Sequence, residues 1–460
     1  MAIVSKQVSV ESDPGPIGAP PGLPTLPGLD ALFGAAYGAG YLIGGERLAH
    51  RLIEHYGPVM RVPIVGLGTL AVVSDPELVK QVFTAKPDVL LGGEGVGPAA
   101  AIYGHESMFV LEEPEHLRRR KLLTPPLHGQ ALESYGPIIA DETRRAMARF
   151  PIDRPFRMLR AARGFTLDII VRVIFGVSDR AEIARLGHPF EELLDLGLTD
   201  VAVVRYMLRD IGTMRWWPRL ARINRDVVSV VAPLIAQRRR DPELSARQDM
   251  LSLLMCARTD TGEAMTDSEI IADLITLMLA GHETSATTLS WMFDELLHRP
   301  DALARVRAEA ETGATEYTMA VINETMRLRP PVPFTARVTT GHYQLGDYLL
   351  EPGTRIVLYI DAVNKNPRTY LEPHRFQPER FLGTRPSTYG WIPFGGGIKR
   401  CLGASFSQRE LIIATHTLLR EGDFTPVHSH EDRPVRRSAV VIPRGGVEIR
   451  YRPRHCPPSQ

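Results

Sequence analysis

Between Thr266 and Pro300 the chain runs without an internal proline, and this stretch constrains the fold more than any other. Thr266 and Glu269 have the spacing of a capping box, and Arg299-Pro300 supplies a stop. Some thirty residues at about 1.5 Å rise each make a helix of roughly 45 Å, long enough to cross a whole domain. Leu274, Ile275, Leu277, Met278 and Leu279 lie around its circumference, so it is expected to be buried along much of its length. Ala140 to Phe175, Asp226 to Arg239 and Ser405 to Arg420 also carry apolar residues at helical spacing. Arg61 to Val73 and Tyr348 to Tyr359 read as strand pairs rich in β-branched and aromatic residues. The pattern predicts a mainly α fold with a smaller β-rich lobe, of α+β class, built around one long central helix.

The chain has 460 residues, and with 44% hydrophobic content it can bury a large core. No Gly/Ser linker, repeat or charge block marks a boundary, so residues 31–455 are expected to form one domain. Residues 1–30 read as a Pro-rich, poorly ordered segment and 456–460 as a tail. Lys plus Arg, 54, nearly balance Asp plus Glu, 53, which argues against nucleic acid as a partner and leaves any electrostatic docking local. Cys256, Cys401 and Cys456 are widely spaced with no secretory signal ahead of them, which fits the cytoplasm better than a disulfide framework. The uncharged run from Ala31 to Gly44 is too short and glycine-rich to span a bilayer, so membrane contact is at most peripheral.

Two local patterns carry chemistry. In the middle of the long helix, Ala280-Gly281-His282-Glu283-Thr284-Ser285 places small and polar residues where packing favours large apolar ones. Gly281 weakens the helix, and the Thr284 hydroxyl can bond the Ala280 carbonyl one turn back, leaving a notch for a small ligand. A close helix–helix contact would need small residues equally. Near the C-terminus, Cys401 follows the glycine-rich turn Phe394 to Arg400 and precedes an amphipathic helix. Unpaired N–H groups and the neighbours Lys399 and Arg400 are expected to lower the thiol pKa, giving a soft anionic sulfur of the kind a haem iron accepts. A core cysteine or a phosphate-cradling loop would explain parts of this pattern. Neither explains Phe-x-x-Gly-x-Lys-x-Cys-x-Gly as a whole.

These motifs, with Glu324-Thr325-Met326-Arg327 and Phe376-Gln377-Pro378-Glu379-Arg380-Phe381 between them, resemble those of the cytochrome P450 family over nearly the whole chain. The resemblance implies the P450 fold, haem b held by Cys401 as axial ligand of the iron, and dioxygen as co-substrate. It implies a haem pocket touched by Phe394, Gly397, Gly403 and Ala280, with propionate partners His116, Arg120, Arg337 and Lys399. Glu324, Arg327 and Arg380 would form a structural triad, Thr284 would bond dioxygen, and Glu283 would relay protons. The substrate pocket would include Asp273, Thr276, Leu277, Val332 and Phe334. Asp273 would meet a polar substrate group or face solvent. Arg118, Arg119 and Lys121 would form a solvated basic face that docks an acidic electron carrier.

The implied activity is that of a monooxygenase acting on a lipophilic small molecule. With no flavin domain or cysteine cluster in the chain, electrons are expected from a ferredoxin and its NAD(P)H-dependent reductase. Asn364 stands where the family often has histidine, and Glu311 to Glu316 is a short inter-helix segment. A peroxide-driven peroxygenase and a non-catalytic haem sensor are the rival readings. The Glu283-Thr284 pair argues against both, because neither needs proton delivery beside the iron.

Overall fold

A computed structural model describes residues 18–23, 45, 47–64, 66–199, 201–202, 205 and 217–454. The central helix spans Asp267–Leu297, with Thr266 and Glu269 closing the capping box from both sides. From Ser285 to Leu297 every side chain is buried, Trp291 completely. The helix is α throughout, so the Gly281–Thr284 region makes a notch without a bulge.

Around it pack the helices Met158–Phe175, Glu316–Leu328 and Ala404–Glu421. The run read as helical from Ala140 to Phe175 is two helices, Gly136–Met147 and Met158–Phe175. Pro151 and Pro155 interrupt it, and Phe156–Arg157 pairs instead with Glu448 and Ile449 of a three-stranded sheet. One large apolar core joins these helices, from Leu122 and Phe165 through Leu289 and Phe293 to Leu411 and Leu418.

The β-rich lobe is a five-stranded sheet in the order Val59–Ile64, Gly68–Val73, Arg355–Tyr359, Phe334–Thr339, Leu90–Leu91. The first two strands form the expected hairpin, Val59 opposite Val73. Tyr348 to Tyr359, read as one strand pair, is divided. Tyr348–Leu350 pairs with Tyr343–Leu345, while Arg355–Tyr359 enters the large sheet parallel to Gly68–Val73. Of the Pro-rich segment expected to be poorly ordered, residues 18–23 are described: Gly18 bridges to Tyr348 and Gly22 to Arg61. The Ala31–Gly44 run lies outside the described residues. Among the described residues no helix is long and apolar enough to cross a membrane.

Candidate active site

The turn before Cys401 is held by its own backbone. Cys401 N–H donates to Phe394 O at 2.9 Å and Arg400 N–H to Gly397 O at 3.1 Å. Gly397 has φ of +63°, and a Cβ there would lie 2.7 Å from Phe83 O, so only glycine fits. Gly403 is the N-cap of Ala404–Glu421, which places the cysteine two residues ahead of the cap. Phe394 stacks edge-on against Trp391 at 5.9 Å.

Cys401 is open to a small molecule, yet protein encloses it, so it faces an internal space and not the outer surface. Burial pushes its thiol pKa up, and the Gly403 N–H, Arg120 and Arg400 only partly offset this. The expected lowering is therefore corrected: desolvation of a thiolate outweighs a few dipoles and cations unless a metal ion takes the charge. Lys399 contributes nothing to that balance, because its Nζ turns to the carbonyls of Met108 (3.4 Å), Phe109 (3.5 Å) and Leu111.

The central helix meets the helix after Cys401 at Ser285, whose Oγ is 3.4 Å from Ser407 Oγ. On the N-terminal side of that contact the helix face opens. Ala280 is exposed although Leu279 and His282 beside it are buried, and Leu277 and Thr284 are half-buried. The Thr284 hydroxyl donates to Ala280 O at 2.7 Å, as the spacing predicted. Gly281 faces the other way, where a Cβ would sit 3.3 Å from Ile170 Cδ1. The small residues thus serve both a cavity at Ala280 and a close helix contact at Gly281.

Glu283 also faces the Met158–Phe175 helix. Arg163 clasps its carboxylate, Nε donating to Oε2 at 2.7 Å and Nη2 to Oε1. Burial raises the Glu283 pKa, and Arg163 opposes the rise. Arg163 is the residue that sequence spacing missed, since nothing local connects it to position 283. His282 bonds the Arg163 carbonyl at 2.9 Å. Glu410, equally unforeseen, is 1% exposed on the cysteine-side helix, with no normal hydrogen bond to either carboxyl oxygen among the described residues. Burial pushes its pKa to about 8, with Ser285 the polar group beside it.

Three cations form a chain from the cysteine outward, Arg120 sensing Cys401 and Lys399 sensing both Arg120 and Arg337, and none has a carboxylate at ion-pair distance among the described residues. Arg337 is 3% exposed and donates only to Ala336 O (2.8 Å) and Gly396 O (3.2 Å). Burial drives its pKa down to about 10 and that of Lys399 down to about 8. Arg120 is lowered as well, by burial first, and senses the charge of Cys401. Glu112, the acid that Arg337 and Lys399 sense most strongly, accepts from the N–H groups of Gly92 (3.0 Å) and Glu94 (2.6 Å). His116 is buried and bonds Glu113 at 2.8 Å. An enclosed thiol with Arg120 in reach of it, and desolvated Lys399 and Arg337 next along, offers the soft ligand and the unpaired cations that a dianionic iron porphyrin needs.

The family model for cytochrome P450 matches residues 45–450. The chain belongs to the cytochrome P450 family. It is 60% identical to cytochrome P450 137 of Mycobacterium tuberculosis over 453 residues, covering 98% of this chain and 95% of the relative. To cytochrome P450 138 of Mycobacterium bovis it is 36% identical, over 91% of this chain and 94% of that one. The solved structure of retinoic acid bound cyanobacterial CYP120A1 superposes with a TM-score of 0.79 at 20% identity, over 95% of this P450 and 100% of that chain. Membership makes this P450 a haem-iron oxidoreductase of the monooxygenase class.

The Glu-x-x-Arg motif is assembled and buried. Arg327 grips Glu324 with two bonds, Nε at 2.6 Å and Nη2 at 2.8 Å, both side chains at 0% exposure. Arg380 Nε stands 3.4 Å from Glu324 Oε1, near enough to attract but outside hydrogen-bond geometry. Arg327 also donates to the carbonyls of Asn364, Pro373 and Arg375, so the pair holds the loop leading to the cysteine turn. Asn364 is buried and accepts from Ile392 N–H at 2.9 Å.

Other expectations need correction. Asp273 neither faces solvent nor points freely into a pocket: it is fully buried and bound to Arg119 (2.6 Å) and Met108 N–H (3.0 Å). Thr276 is bound to Ser107 at 2.6 Å. Phe334 packs with Ala49, Tyr359 and Ala362 in a separate cluster, and Val332 is half-buried. The basic face is not solvated as a unit. Arg119 is 2% exposed, Arg118 pairs with Glu115 and Glu269, and Lys121 pairs with Asp260 at the surface.

Proposed function

We propose that this P450 inserts one oxygen atom from dioxygen into a lipophilic small molecule, using electrons from a separate ferredoxin recharged by an NAD(P)H-dependent reductase. The observation that carries the reading is the enclosed Cys401 with Arg120 in electrostatic reach of it and the desolvated Lys399 and Arg337 beyond Arg120, none with a carboxylate at ion-pair distance among the described residues. Cys401 would hold the iron, and those cations with His116 would hold the propionates. Phe394, Gly397 and Gly403, which shape the cysteine turn, would hold the group on one side, and Ala280 would leave it room on the central helix. Bound there, haem supplies the dioxygen chemistry, and a thiolate ligand favours O–O cleavage.

The chain's own part is proton supply and exclusion of water. Thr284 Oγ1 stands beside the opening at Ala280, and its proton is parked on the Ala280 carbonyl until a better acceptor arrives. Glu283 would carry protons inward from solvent, which reaches the pair along Arg163, whose side chain is 26% exposed and which stays charged while it orients the carboxylate. Burial keeps the carboxyl pKa raised, which suits a group that must take up and release a proton. Leu277 and Val332 are offered as walls of the substrate space.

An electron carrier would dock on the cysteine side, at exposed Ile398 (37%) and Arg400 just ahead of Cys401, and at Leu117 (49% exposed), one turn from the Arg120 that senses Arg400. That replaces the Arg118–Lys121 face, whose charges are internally paired. Residues 31–455 would act as one domain in the cytoplasm.

Reduced protein under carbon monoxide is expected to show the red-shifted Soret band of a thiolate ligand, and Cys401→Ala to lose it. An unchanged band in that variant would sink the ligand assignment. Turnover with ferredoxin, reductase and NADPH should exceed turnover with peroxide, and the opposite order would make the enzyme a peroxygenase.

A further inference from the structure

The stretch from Glu106 to Leu111 is stitched on two sides. Toward the central helix, Ser268 Oγ donates to Glu106, the Ser107 and Thr276 hydroxyls share a bond of 2.6 Å, and Met108 N–H donates to Asp273 Oδ1 at 3.0 Å. Toward the cysteine turn, its carbonyls accept from Lys399. Asp273 Oδ2 takes Arg119 Nε at 2.8 Å and Nη2 at 2.6 Å, and Nη2 continues to Glu269 O at 2.7 Å. Among the described residues, no buried side-chain nitrogen or oxygen of Ser107, Arg119, Asp273 or Thr276 lacks a partner.

Asp273 is 0% and Arg119 2% exposed. A buried ion pair adds little stability over apolar packing, but it tolerates only one geometry, because a displaced partner leaves a bare charge. An apolar contact here would let the stretch slide, whereas the Asp273 carboxylate fixes Met108 N–H in register. Asp273, Thr276 and Ala280 are at i, i+3 and i+7 and so share one helix face. The knot therefore lies about 10 Å along the helix from the opening at Ala280, toward the helix N-terminus.

We propose that Asp273, locked by Arg119, is a positioning residue that makes the 106–111 stretch a fixed end wall of the space that opens at Ala280, and that this wall limits the length of molecule admitted. The proposal rests on the haem-site reading. It assigns to this P450 compact lipophilic substrates in preference to chains extended along the helix. Asp273 then determines specificity without touching substrate.

The test uses the haem-loaded protein and a series of 1-alkylimidazoles from butyl to dodecyl, followed by the Soret shift of nitrogen ligation. Wild-type affinity should rise about fourfold per added methylene while the chain still finds apolar cavity, then stop rising. In Asp273→Ala, and in the milder pair Ser107→Ala with Thr276→Val, the rise should continue to longer chains. Amide hydrogen exchange across residues 104–111 should accelerate about tenfold in both. Asp260→Ala, which breaks only the surface pair with Lys121, should change neither measurement. Faster exchange with an unmoved length limit would overturn the wall, and unchanged exchange in both variants would overturn the anchor. No Soret shift with any wild-type imidazole would overturn the haem reading, while the exchange result judges the anchor separately.

Discussion

His282 sits between the notch and the Met158–Phe175 helix, 4% exposed, and burial pushes its pKa down to about 4. Its ring is neutral when folded but takes up a proton near pH 6.5 when unfolded. The stability it allows is complete above pH 6.5 and is lost as pH falls toward 4. At pH 5 the loss should be about 2 kcal/mol relative to pH 7. Urea titrations at the two pH values check this, and His282→Gln should lack that part of the pH dependence. Beside it, the Thr284 hydroxyl spends its proton on a helix carbonyl, a bond worth about 1 kcal/mol. Thr284→Ala should therefore stay folded, yet lower product formed per NADPH roughly tenfold or more as peroxide is released instead. Peroxide and product assays on one sample decide it.

At the scale of elements, the triad is what fastens the Glu316–Leu328 helix to the loop before Cys401. Glu324 and Arg327 are both completely buried, so Glu324→Ala strands a guanidinium in the interior and should cost about 3–5 kcal/mol. Arg380 is 12% exposed and only 3.4 Å away, and Arg380→Ala should cost nearer 1 kcal/mol. Thermal denaturation followed at the Soret band would rank the two, and equal losses would refute this division of labour. The capping box at Thr266 and Glu269 and the hairpin from Val59 to Val73 were legible because caps and alternation are local. The break between Gly136–Met147 and Met158–Phe175 was not, because Phe156–Arg157 is extended by pairing with a strand some 290 residues later.

For the whole molecule, a net charge of +1 predicts no long-range field, so the proposed docking of an electron carrier would rest on a patch. Leu117 is exposed one turn from Arg120, which senses the charges of Cys401 and Arg400. Leu117→Glu should raise the KM for an acidic ferredoxin about tenfold and leave the carbon monoxide spectrum intact. Steady-state rates against ferredoxin concentration check it, and an unchanged KM would move the docking face elsewhere.

Sequence by itself determined the mainly α class, the central helix with its notch, the cysteine turn, and the family, because spacing along a helix and the demands of a tight turn are short-range. Tertiary structure decided which polar groups lie inside. Arg118 and Arg119 are neighbours with the same side chain, yet one reaches the surface and the other holds Asp273 in the core. Glu283 found Arg163, and Cys401 acquired a raised pKa where its turn alone predicted a lowered one. Burial sums over atoms from distant segments, and desolvation in that sum outweighs what adjacent residues contribute.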